Sequence, residues 1–142
     1  MSLVLDASMA LAWCMSRANP EEATLAGLVL AEVELRGAHV PALWYAEIAN
    51  TLLVFERAQR INPQGSQSYL SDLNRLSIKQ DETPALQLQP QTLTAARTFR
   101  LTAYDAAYLE LAQRRKIPLA TLDRKLAEAC RAAGVTVFGD LM

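Results

Sequence analysis

Short apolar runs recur along this chain, each divided from the next by stretches of helical pattern, and that alternation leaves few folds open. Ser2–Leu5 is expected as a strand ending on Asp6, Ala38–Val40 as a second, Pro118–Leu122 as a third, and Val135–Phe138, with its strong β-propensity, as a last. A helix over Ala7–Met15, with Ser8 placed to cap it, follows the first strand. Pro20-Glu21-Glu22 opens a helix running to about Arg36, and Gly37 stops it, as the asymmetry of helix ends favours. Pro41 begins a turn into a helix from Leu43 to Gln59. Asn62-Pro63 breaks the chain, and Gln64 to Ile78 is a further helix with Leu70, Leu73 and Leu76 near helical spacing. Lys79–Pro84 holds either a short strand or only a connection. Helices from Pro90 to Phe99, from Ala103 to Arg115 (capped by Thr102) and from Asp123 to Ala133 (stopped by Gly134) complete the pattern. Strands joined through helices run parallel, and a parallel sheet needs both faces covered. The expected fold is α/β: a three-layer α/β/α sandwich with a mainly parallel central sheet. No linker, repeat or low-complexity segment divides it, so one domain over residues 1–142 is expected.

Composition narrows the chemistry. Apolar residues make up 51% of the chain and charged ones 20%, the balance of an ordinary globular protein. No apolar run approaches the ~20 residues that span a bilayer, and no basic region followed by an apolar stretch opens the sequence. A cytoplasmic protein without a signal peptide, away from membranes, is the expectation. Cys14 and Cys130 stand far apart without metal-ligand spacing and are expected as buried thiols in a reducing compartment. His39, the only histidine, lies just before Val40-Pro41 and away from any serine or cysteine partner. Chemistry is left to the carboxylates. The net charge of −1 gives no global signature of nucleic-acid binding, but residues 1–78 hold 5 basic and 8 acidic residues whereas 79–142 hold 9 and 7. Arg114, Arg115, Lys116, Arg124, Lys125 and Arg131 supply most of the second group, which suits a phosphate-binding surface and helix C-termini equally.

In open α/β sheets, sites form beyond the carboxyl ends of the strands. Asp6 directly follows the first strand and Asp123 the strand Pro118–Leu122, so both project from one rim if those strands are parallel neighbours. Asp105 lies in the first turn of its helix. Glu47, Asn50 and Thr51 stand at i, i+3 and i+4 on one polar helix face, with Trp44, Ile48, Leu52 and Phe55 on the apolar one. Taken singly, each acid has a structural explanation: a cap for Asp6 or Asp123, a dipole complement for Glu47 or Asp105. Together at one sheet mouth they repel unless a cation neutralises them. Oxygen ligands without histidine or thiolate suit a hard divalent ion, Mg²⁺ or Mn²⁺, rather than zinc.

Four segments carry a resemblance. Leu3-Val-Leu-Asp6-Ala-Ser8, Pro41-Ala-Leu-Trp44-Tyr-Ala-Glu47-Ile-Ala-Asn50, Leu101-Thr-Ala-Tyr-Asp105-Ala-Ala-Tyr108-Leu-Glu-Leu-Ala112 and Leu119-Ala-Thr121-Leu-Asp123-Arg-Lys-Leu126 are similar, in order and over nearly the whole chain, to the four acidic motifs of VapC-type PIN-domain toxins. The resemblance implies an Mg²⁺- or Mn²⁺-dependent endoribonuclease, the toxin of a type II toxin–antitoxin system. Asp6, Glu47, Asp105 and Asp123 are its catalytic, metal-binding acids. It implies direct ligation most firmly for Asp6 and Asp105, while Glu47 and Asp123 ligate directly, ligate through water, or orient the attacking water. Ser8 and Thr121, each two residues from an acid, either cap helices or bond a carboxylate or phosphate. Asn50 and Arg124 are further substrate-supporting candidates, and Arg97, Arg100 and Lys125 join Arg124 as candidates for guiding the RNA backbone. The same resemblance implies a VapB-type antitoxin partner seated on helices 20–36 and 43–59, with Trp13 and Trp44 lining its groove or simply filling the core, and a homodimer. Two other functions compete: a phosphotransfer or phosphatase domain using Asp6, against which the missing second aspartate of an Asp-x-Asp loop counts, and a non-catalytic PIN-like RNA- or protein-binding module. A dinucleotide binder is disfavoured because no GxGxxG follows the first strand.

Overall fold

The computed structural model describes residues 2–15 and 17–140. Four short strands, β1 (Leu3–Leu5), β2 (Ala38–Val40), β3 (Ile78–Gln80) and β4 (Leu119–Ala120), form one sheet in the order β3-β2-β1-β4. Every pairing is parallel, with Leu3 opposite Ala38, Val4 opposite Leu119 and Ala38 opposite Ile78. Among the described residues, seven helices flank the sheet: α1 (Ala7–Leu11), α2 (Pro20–Arg36), α3 (Leu43–Arg57), α4 (Pro63–Asn74), α5 (Ala85–Phe99), α6 (Ala103–Arg115) and α7 (Arg124–Ala132). The chain steps from β1 to β2 to β3 in one direction, then returns across the sheet to β4 on the other side of β1. With right-handed crossovers, that reversal puts the two sets of helices on opposite faces. Accordingly α1 packs with α2 and α3, whereas α6 packs on β1 and β4 beside α5 and α7. The α/β sandwich expected from the alternating pattern is the one found.

Burial on both faces explains why β1 is apolar throughout, its three residues being almost wholly enclosed. The most enclosed helix is α6, burying Ala106, Tyr108, Leu109, Glu110, Leu111 and Ala112. The thiols are both free; Cys130 is in the core, where burial pushes it up to about 12, and Cys14 is half-buried. Among the described residues, no helix is long and apolar enough to cross a membrane.

The boundaries differ from expectation in four places. The first helix stops at Leu11 instead of reaching Met15. The helix expected to run through Ile78 ends at Asn74, and Ile78 instead begins β3, the strand left open over Lys79–Pro84. Its place depends on Gly37. There φ is +78°, and a Cβ would come within 2.6 Å of the Ser77 carbonyl oxygen, to which the Ala38 N–H donates at 2.9 Å. The helix expected from Pro90 begins at Ala85, with Pro84 at its N-cap and Pro90 inside it. That is tolerated on a helix that buries only Ala95. Val135–Phe138 is not a full strand: one bridge joins Val137 to Leu119. The chain is already turning at Phe138, ahead of Gly139 with its positive φ, so the pairing stops there.

Candidate metal centre

Because the strand order reverses about β1, the crevice beyond the carboxyl ends of β1 and β4 is the topological switch point of the sheet. Asp6 leaves β1 there and Asp123 follows β4. α3 brings Glu47 to the same opening and the first turn of α6 brings Asp105. All four acids line one cleft of about 400 Å³, together with Ser8, Thr51, Phe55, Arg17 and Arg60.

Asp6 occupies the N-cap position of α1 but makes no capping bond with its side chain. Its Oδ2 instead accepts from the hydroxyls of Ser8 at 2.7 Å and Thr121 at 2.6 Å. These hydroxyls are themselves fixed: Ser8 Oγ accepts from the Leu122 N–H at 3.1 Å and Thr121 Oγ1 from the Asp123 N–H at 2.9 Å. The β1 end is thereby tied to the β4–α7 connection, and neither hydroxyl falls on Oδ1. Asp123 does cap its helix, Oδ1 accepting from the Leu126 N–H at 3.1 Å. Asp105 receives its position from Thr102, whose Oγ1 accepts the Asp105 N–H at 3.1 Å.

Glu47 Oε1 accepts a hydrogen bond from the Tyr108 hydroxyl. Tyr108 is fully enclosed. Burial foremost, then the charges of Asp6 and Glu47, push its phenol far up, so it remains a donor. Tyr108 lies within the Asp105 motif, yet nothing in the motif alone assigns it a role. Its signal is the i+3 spacing from Asp105, which turns a second polar group toward the same end of the sheet.

Electrostatics separates these acids from ordinary surface carboxylates. Burial raises Asp6, the Asp123 charge adds to it, and the two hydroxyls offset it in part. Burial also raises Glu47, with Asp6 and Asp105 adding, and raises Asp105, with Asp123 and Asp6 adding. A carboxyl raised in the folded state favours folding while protonated and costs stability once ionised. In metal-free buffer the protein is therefore expected to melt at a higher temperature near about pH 5 than near about pH 8. The loss should accrue as pH climbs from the unfolded carboxyl range of about 4 through the raised values. Partly buried His39, held below its usual range, works the opposite way over the same interval, so a fall no steeper in the parent than in Asp6→Asn would contradict the crowding.

The donor set fits a hard divalent cation: carboxylate and hydroxyl oxygens, with no histidine or thiolate lining the cleft. Among the described residues, no three acids stand close enough to enclose an ion as their side chains lie. Asp6, Glu47 and Asp123 each have one oxygen drawn off by an internal donor. The cluster is thus a convergent set of acceptor oxygens rather than a closed cage.

The other candidates divide. Ser8 and Thr121 join the cluster by bonding Asp6. Asn50 is exposed and does not line the cleft, whereas Thr51 does. Glu47, Thr51 and Phe55, at i, i+4 and i+8, form the α3 stripe that faces the acids. Phe55, partly buried against the core, thus belongs both to that stripe and to the apolar face on which Trp44, Ile48 and Leu52 are buried. Arg124 is exposed and lines a neighbouring groove between α2 and α7. Arg97, Arg100 and Lys125 line no part of the cleft, although Lys125 draws Asp105 down slightly. Arg114 and Arg115 are committed to Asp81, and Arg131 to Asp140, so half of the basic group in the second half of the chain is neutralised internally. Trp44 belongs to the core, and Trp13 is partly buried with its Nε1–H donating to the Ala26 carbonyl at 2.9 Å.

Residues 3–132 match the family described as PIN domain. No curated protein matches the chain. Among solved structures, the chain is similar to PAE2754 from Pyrobaculum aerophilum, with 24% identity, a TM-score of 0.63 and coverage of 91% of this chain and 86% of that one. It is also similar to FitAcB from Neisseria gonorrhoeae, with 18% identity, a TM-score of 0.64 and coverage of 96% of each chain. At these identities the likeness is one of fold.

Proposed function

This chain belongs to the PIN-domain family, and from that premise we propose that it is a Mg²⁺- or Mn²⁺-dependent endoribonuclease, one domain over residues 1–142, acting as the VapC-type toxin of a type II toxin–antitoxin system. The observation that carries the reading is the meeting of Asp6, Glu47, Asp105 and Asp123 in one cleft at the sheet's switch point. Four acids whose mutual charge and burial raise three of their number call for a counter-ion.

Asp6 and Asp105 are the ligands we assign first, with Asp123 and Glu47 completing the set. When bound, the cation supplies positive charge to a phosphoryl oxygen and acidifies a coordinated water. Asp6, tethered through Oδ2 by Ser8 and Thr121, presents Oδ1. Glu47, tethered through Oε1 by Tyr108, presents Oε2, and its raised value suits it to accept the proton of the attacking water. Asp123 holds the start of α7 while facing Asp105 and Asp6.

The toxin assignment and its partner, a VapB-type antitoxin, rest on the four-motif resemblance. Exposed apolar side chains on the two helices that would seat it support them: Leu28 and Leu35 on α2, and Tyr45, Leu53 and Val54 on α3. A homodimer in the cytoplasm completes the reading by the same resemblance.

Purified protein is expected to cleave RNA with Mg²⁺ or Mn²⁺ and to lose that activity in EDTA, with recovery when the metal is restored. No cleavage of any RNA tried, together with no heat of Mn²⁺ binding by calorimetry, would sink the nuclease reading.

A further inference from the structure

Two guanidiniums line the acidic cleft, Arg17 and Arg60. Arg17 is already neutralised, with Nη2 at 2.8 Å from Oε2 of Glu22 and Nε at 3.2 Å from the same oxygen. Arg60 pairs with no carboxylate among the described residues. Its guanidinium carbon lies 5.1 Å from the centroid of the Phe55 ring, and Phe55 is the last residue of the α3 stripe that faces the acids.

The backbone builds this pair. Ala58 is the C-cap of α3, and Gln59 follows in the left-handed region with φ of 59°. The Gln59 N–H donates to the Glu56 carbonyl at 3.0 Å and the Arg60 N–H to the Phe55 carbonyl at 2.9 Å. That is the double bonding of a Schellman motif, which folds the residue two beyond the cap back against the residue three before it. Arg60 is delivered onto Phe55 by the turn, within cation–π range of the ring, and its guanidinium N–H groups have no hydrogen-bond partner among the described residues. Glu47 and Phe55 are eight residues apart on one helix, about 12 Å. The cation therefore stands beside the acids rather than among them.

We propose that Arg60, held over the Phe55 ring, binds a backbone phosphate of the RNA strand next to the one that is cut. A strand laid over four carboxylates is repelled along its length, and one unpaired, pre-oriented guanidinium at the rim offsets that repulsion where no metal reaches. Arg60 is then a substrate contact and Phe55 a positioning residue. The assignment rests on the nuclease reading and adds a register for the strand: along α3, from Glu47 toward its C-terminus.

The test measures single-stranded RNA binding by fluorescence anisotropy across a salt series, using the full chain with Mg²⁺ and Asp105→Asn to prevent cutting. Arg60→Ala is expected to weaken binding about 5–10-fold and to flatten the slope of log K against log salt by about 0.7, one phosphate contact on a single strand. Arg60→Lys should keep the slope, Phe55→Leu should lose part of the affinity, and Arg75→Ala, at the C-cap of α4 and outside the cleft, should match the parent. Parental affinity and slope in Arg60→Ala would overturn the assignment while leaving the nuclease reading intact. So would unchanged RNA binding with loss of binding to an acidic peptide, which would make Arg60 a protein contact. A parent that binds no RNA, together with an unmutated chain that cleaves none with Mg²⁺ or Mn²⁺, would end both readings.

Discussion

Asp6→Asn is expected to abolish RNA cleavage in a protein that, in metal-free buffer at neutral pH, is at least as stable as its parent. The two halves of that expectation come from the same carboxylate. Asp6 is 6% exposed, and burial is the leading reason its ionised form is disfavoured. Asparagine removes the charge, preserves the shape and keeps an oxygen to accept from Ser8 and Thr121. The tie between β1 and the β4–α7 connection survives, and the repulsion from Asp123 goes. The cation loses an anionic ligand, however. Losing an outer partner of a metal ligand already costs about 10–100-fold, so losing a ligand should cost more than about 100-fold. Asp105→Asn should behave alike. Cleavage, Mn²⁺ affinity by calorimetry and melting temperature in EDTA read the three effects separately. A variant that unfolds would mean Asp6 is structural, and one that still cuts would place the reacting centre elsewhere.

The acids were legible in the sequence because their placement follows from rules that need no tertiary detail. A residue just past a parallel strand lies on the rim, and one in the first turn of the following helix lies close to it. That suffices for Asp6, Asp123 and Asp105, and helical spacing brings in Glu47. What escaped depends on contacts between distant segments or on unadvertised backbone conformation. Nothing near Asp81 announces that it is buried, because its partner Arg114 lies 33 residues away. The Arg60–Phe55 pair turns on a left-handed Gln59, where a glycine would have signalled the Schellman turn. β3 is three residues long with two of them exposed, so no alternating pattern marks it. The basic surplus of residues 79–142 stays ambiguous in the sequence for a related reason: charge can be counted along a chain, but pairing cannot. Arg114, Arg115 and Arg131 serve the fold.

Asp81→Asn is the converse experiment, with a large loss of stability expected and little loss of activity per folded molecule. Asp81 follows β3 at the edge of the sheet and is 7% exposed. Arg114 approaches it with Nη2 at 2.6 Å from Oδ2 and Nη1 at 3.2 Å from Oδ1, while Arg115 adds a contact at 3.4 Å. The same Arg114 holds buried Glu110 at 2.8 Å and reaches Thr83. This network fastens the C-terminal half of α6, the helix that carries Asp105 at its other end, to the connection after β3. Burial alone would raise Asp81, but the two guanidiniums outweigh it and hold the carboxyl below its usual range. Removing one partner of a buried pair costs about 3–5 kcal/mol. Arg114 is 31% exposed and keeps Glu110, which reduces the expected loss to about 2–3 kcal/mol, a fall of roughly 5–10 °C in melting temperature. The sign with pH is fixed: a lowered carboxyl contributes stability above its unfolded value and loses it as pH falls through the lowered one. The gap between parent and variant should therefore be full at neutral pH and narrow in strong acid. A gap that persists unchanged into acid would mean Asp81 acts through packing or its hydrogen bonds rather than its charge. Because Asp105 sits at the far end of α6, cleavage measured well below the variant's melting temperature should stay near the parental rate, and a loss matching that of Asp6→Asn would show that the β3 edge positions the acids as well as the helix.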